Sequence, residues 1–62
     1  MKLFCVSSNV PEFVEGEEYL AYYNGIVYRV IHEDAGAIVA DYDYNSGYIV
    51  AELFNDGFVE FK

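Results

Sequence analysis

Sixty-two residues make one domain at most, and with 55% hydrophobic and 19% aromatic side chains the chain folds, since acidic disordered segments lack such residues. Eleven acids against three bases give a net charge of −8, which argues against direct nucleic-acid or membrane binding and attracts basic surfaces, including those built to hold nucleic acid. Cys5 is the only cysteine, which excludes an internal disulfide and fits a reduced compartment.

The first predicted strand covers 2–7. Its apolar run, Leu3 to Val6, is too short for a signal-peptide core or a membrane span, so the expectation is a soluble cytoplasmic protein. Cys5 reads as a small buried hydrophobe. The segment 7–17 reads as a loop, because Pro11 lacks a backbone donor and Gly16 supplies a joint. Glu12, Glu15, Glu17 and Glu18 make its end acid-rich, either a solvated edge or an arm that meets a basic partner.

Strands 18–23 and 26–32 flank Asn24-Gly25, the signal for a two-residue type I′ hairpin. That turn places Tyr23 opposite Ile26, Ala21 opposite Tyr28 and Tyr19 opposite Val30, all on one core-facing side. The other face carries Glu18, Leu20, Tyr22, Val27, Arg29 and Ile31. Its apolar members, Tyr22, Val27 and Ile31 among them, need either closure of a barrel, a second copy or a partner to cover them. His32 follows as a turn-edge residue, with no second ligand or nucleophile placed beside it.

Beyond the turn at 33–36, strands are predicted at 37–43, 48–54 and 58–61, separated by Asn45-Ser46-Gly47 and Asn55-Asp56-Gly57. Turn signals recurring at about ten-residue intervals predict an all-β fold, a six-stranded antiparallel meander or SH3-like barrel, as a single domain over 1–62. The sequence leaves open which face of 37–54 is buried. Ile38, Ala40, Val50 and Phe54 compete with Val39, Ile49, Ala51 and Leu53.

Asp41, Asp43, Asn45 and Glu52 imitate calcium-loop spacing, but Ser46 stands where that loop requires glycine, and the flanks are β-formers rather than helical. The hairpin reading is preferred, with calcium binding over 41–52 a weaker alternative and no metal or other cofactor expected. On a strand, Asp41 and Asp43 project together about 6.7 Å apart, close to the spacing of phosphates one nucleotide apart, with Tyr42, Tyr44 and Tyr48 gathered opposite. No glycine-rich phosphate loop or nucleophile–base set is present, so the expected activity is binding rather than catalysis.

The stretch Phe13-Val14-Glu15-Gly16-Glu17-Glu18-Tyr19, the tight hairpins after it and the terminal strand Phe58-Val59-Glu60-Phe61 resemble the small SH3-like β-barrels encoded by tailed bacteriophages. The resemblance implies a host-interaction factor acting in the host cytoplasm, in some cases a nucleic-acid mimic that inhibits a nucleic-acid-binding enzyme. Seven tyrosines depart from a purely electrostatic decoy and point to a drier contact. The expected partner is a protein with a basic surface, met by Glu15, Glu17, Glu18, Asp41, Tyr42, Asp43, Tyr44 and Tyr48. The alternative is a self-associating structural module, a homo-oligomer joined through Tyr22, Val27 and Ile31.

Overall fold

The computed structural model describes residues 1–34 and 36–62, so Ala35 of the predicted 33–36 turn lies outside the described residues. The described residues form six strands: β1 Lys2–Ser8, β2 Glu18–Tyr23, β3 Tyr28–His32, β4 Gly36–Tyr42, β5 Ile49–Glu52 and β6 Phe58–Phe61. Each pairs antiparallel with its neighbour in the chain, and β6 returns to β1 to close a barrel. At the closure the register shifts between Cys5 and Ser7, while Phe4 and Lys62 exchange backbone hydrogen bonds of 2.9 Å in both directions. Closure gives each described strand a hydrogen-bonded neighbour on both sides over part of its length.

Alternation along the strands sends Leu3, Cys5, Ala21, Val30, Ala40, Ile49, Ala51, Val59 and Phe61 inward, and all are buried. Three of these are alanines, so the strands alone leave space inside. Phe13 fills it from the β1–β2 loop. Its ring is 1% exposed and lies 4.8 Å from Tyr19, 5.5 Å from His32 and, edge-on, 5.7 Å from Phe61. The loop is pinned around this plug. The Val14 N–H donates to the Tyr19 hydroxyl at 2.7 Å, Gly16 N–H to the Cys5 carbonyl and Cys5 N–H to the Glu17 carbonyl, both at 2.9 Å.

The hairpins correct the predicted registers. Tyr23 lies opposite Tyr28, not Ile26, and Ala21 opposite Val30. Asn24 is a corner residue: its N–H donates to the Val27 carbonyl at 3.1 Å, and its Oδ1 accepts from the Ile26 and Val27 amides at 2.9 Å each. The turn therefore centres on Gly25-Ile26, with Gly25 at φ 95°, in the first central position that a II′ turn reserves for glycine. The pairing shifts by two residues, so the predicted faces survive. Ile26 does not: it leaves the core face and stands 77% exposed at the tip.

In the next hairpin Tyr42 pairs with Ile49, with Asp43 N–H donating to the Tyr48 carbonyl and Gly47 N–H to the Asp43 carbonyl, both at 2.8 Å. This sends Ile38 and Ala40 inward with Ile49, Ala51 and Leu53, taking two residues of the first competing set and three of the second. Phe54 is exposed. The last hairpin turns through Asn55 and Asp56 at φ 59° and 60°, residue types that tolerate the left-handed region. Gly57 is required there for space, because a Cβ would meet Leu53 Cβ at 2.9 Å and Val10 Cγ1 at 3.0 Å. Asn9 fastens this turn to the plug loop, donating from Nδ2 to the Asp56 carbonyl at 3.0 Å and accepting the Phe58 N–H at 2.7 Å.

Replacing Phe13 tests the plug. Phe13→Ala should cost about 3–5 kcal/mol, a large share of what so small a domain has, and leave the chain largely unfolded. Phe13→Leu should retain the fold with a lower melting temperature in thermal denaturation.

Candidate protein-binding surface

With the core settled, the outward positions follow from register. On the β4–β5–β6 side Asp41 faces Val50, Val50 faces Glu60, and Glu52 faces Phe58. Asp41, Tyr42, Asp43, Val50, Glu52 and Phe58 line one shallow depression of about 380 Å³. Three carboxylates, two aromatic rings and one valine make up its lining. Asp41 Oδ1 accepts the Tyr42 N–H at 2.9 Å, while Asp43 Oδ1 accepts the Asn45 N–H at 3.0 Å and so anchors the β4–β5 turn.

The predicted contact residues fall into two groups. Asp41, Tyr42 and Asp43 come together in this depression, and Tyr44 packs against Tyr42 with ring centroids 4.9 Å apart. Tyr48 is half-buried in the turn, its N–H donating to Ser46 Oγ at 3.2 Å. Glu18 goes elsewhere. It lines a second depression of about 370 Å³ with Tyr19, Leu20, Ile31, His32, Glu33 and Asp34, beside the exposed Glu15 and Glu17 of the plug loop. The two acid groups thus occupy opposite ends of the barrel. Glu52, Val50 and Phe58 were missed as members of the first group, because only the β4–β5 register reveals their neighbours. Glu33 and Asp34 read in the sequence as turn residues and as neighbours able to orient His32, not as members of an acidic surface.

The outer face of β2–β3–β4 carries the predicted Tyr22, Val27 and Ile31, joined by exposed Leu20 and Val39. Arg29 stands in its middle, paired with Tyr22 on one side and Val39 on the other. His32 lies at the end of β3, where its Nδ1 accepts the Asp34 N–H at 3.1 Å and its ring touches Phe13. Among the described residues no group of three or more His, Cys, Asp or Glu is arranged to hold a metal ion, and Asp43 of the calcium-like spacing is committed to its turn. Among the described residues no helix is long and apolar enough to cross a membrane.

Cys5 is fully buried, and burial pushes its thiol pKa up, with the charge of Glu15 adding to the rise and backbone hydrogen bonding at Ser7 opposing it. Since the thiolate is the reactive form, this thiol is doubly protected. A thiol-specific reagent at neutral pH should leave Cys5 unmodified over minutes in the native protein and label it fully once urea is added, read by mass spectrometry.

Comparison with known proteins finds no matching family, no similar curated protein and no matching solved structure.

Proposed function

We propose that this chain is a binding protein, not an enzyme, and that its β4–β5–β6 face docks on the basic surface of a protein partner. The observation that supports this most is the convergence of Asp41, Asp43 and Glu52 around Val50, Tyr42 and Phe58. The carboxylates steer a cationic surface into place, and the aromatic and aliphatic side chains supply the contact area that holds it. In the phage-type reading the partner is a host protein whose basic surface normally carries nucleic acid. The acidic chain inhibits or modulates it by occupying that surface in the host cytoplasm.

The test is capture of partners from bacterial lysate by the immobilised chain, followed by kinetics with the recovered protein. The expected partner binds nucleic acid, is displaced by competing duplex DNA and is released as salt rises. Asp41→Asn, Asp43→Asn and Glu52→Gln together should slow association at low salt by at least about tenfold. Capture indifferent to salt, to competing DNA and to the amide replacements would sink the reading.

A second reading is favoured by the exposed Leu20, Tyr22 and Val39 beside Val27 and Ile31: a structural module that self-associates through β2–β3–β4. Two copies each of charge −8 repel, so this association should strengthen as salt screens them, opposite to the basic-partner contact. Light scattering across a salt series separates the two. A monomer at millimolar protein in high salt rules self-association out.

A further inference from the structure

Successive turns of an up-and-down meander alternate between the two ends of the barrel. The plug loop, the β3–β4 turn and the β5–β6 turn share one end, and the β2–β3 and β4–β5 turns share the other. The two ends are finished differently. At the first, Phe13 is buried over Tyr19 and Asn9 ties the loops together. At the second, tyrosines remain open to solvent. Tyr23 and Tyr28 are in ring contact at 4.7 Å, and Tyr42 and Tyr44 meet edge to face at 4.9 Å. Tyr23 is 51% exposed, Tyr42 43% and Tyr44 89%.

Tyr23 and Tyr28 continue the inward alternation of Ala21 and Val30, and Tyr42 continues that of Ala40. Covering the core explains the inner halves of those rings. It does not explain Tyr44, which sits in the turn, is 89% exposed and meets the Tyr42 ring edge to face. Asp41 and Asp43 share a depression with Tyr42, and no base among the described residues lines it.

We propose that this tyrosine-paved end seats an arginine side chain presented by the protein partner. The inference rests on the basic-partner reading and adds a specificity to it. A guanidinium is planar and weakly hydrated, so it stacks on an aromatic ring while its fork of donors reaches a carboxylate. A lysine ammonium meets the same charge but gains less from the rings, because its hydration shell is held more tightly. Stacked tyrosines also suit the bases of single-stranded nucleic acid, but the charge of −8 repels the phosphates that come with them.

The experiment is an NMR titration of the isotope-labelled protein with two acetylated, amidated peptides of equal length and charge, one Gly-Arg and one Gly-Lys. The arginine peptide should shift the ring resonances of Tyr42, Tyr44 and Tyr23 and bind about two- to fivefold more tightly than the lysine peptide. Tyr44→Ala, at an exposed turn position that leaves the fold intact by spectral dispersion, should abolish that preference. Equal binding of both peptides, unmoved by Tyr44→Ala yet lost in the Asp41→Asn, Asp43→Asn variant, overturns the arginine seat and leaves the acidic face standing. Neither peptide binding while salt-sensitive capture of a protein partner persists has the same meaning. An oligothymidine that shifts the tyrosine rings in place of the arginine peptide overturns both.

Discussion

The rest of the structure depends on Phe13 reaching the inside of the barrel. Six short strands with alanine at positions 21, 40 and 51 enclose more space than their own side chains fill. A cavity of that kind forfeits dispersion contacts on every wall, and a domain of this size has little stability from which to lose them. The plug is supplied by a loop, so the loop's path is fixed as firmly as a strand's. The bonds from Val14 to Tyr19, from Gly16 to Cys5 and from Asn9 to the β5–β6 turn all hold the segment that carries that one ring. The exposed positions of Glu15, Glu17 and Glu18 follow from the same path.

Charge is arranged around this core rather than through it. The buried set contains no charged residue, and the acids stand on outward strand positions, turns and the plug loop. Ordinary solubility explains acids that are spread out. It explains less well why Asp41, Asp43 and Glu52 line one depression with Val50, Tyr42 and Phe58, a combination that suits the proposed basic partner. Arg29, set among Tyr22 and Val39 on a different face, keeps that surface from belonging to the same acidic field.

Element types were legible in the sequence because they rest on local chemistry. β-branched and aromatic runs cut by Asn-Gly, Asn-Ser-Gly and Asn-Asp-Gly produced all six strands at nearly their observed bounds. Registers were less legible, because a single side chain decides them. Asn24 caps two amides and becomes a corner, which moves the turn on by one residue. Six residues separate Tyr42 from Ile49, and no pattern rule selects their path, so the buried face of β4 relative to β5 stayed undecided. Phe13 lacked any periodic signal, since a loop residue is buried by tertiary packing alone. The candidate site was half visible for the same reason: Asp41, Tyr42, Asp43 and Tyr44 are neighbours in sequence, while Glu52, Val50 and Phe58 join them only through strand pairing.

Tyrosine reconciles a small core with an interacting surface. In the proposed function the same side chains of this 62-residue chain seal a barrel end and meet a partner. A tyrosine does both, because its ring covers apolar neighbours while its hydroxyl end remains wet. The plugged end needed no such compromise and uses Phe13, which is wholly buried. The difference in side-chain choice between the two ends is therefore a difference in what each must face. One end is closed by the protein itself. The other is finished in residues that tolerate water and gain from losing it, which suits the complex proposed above.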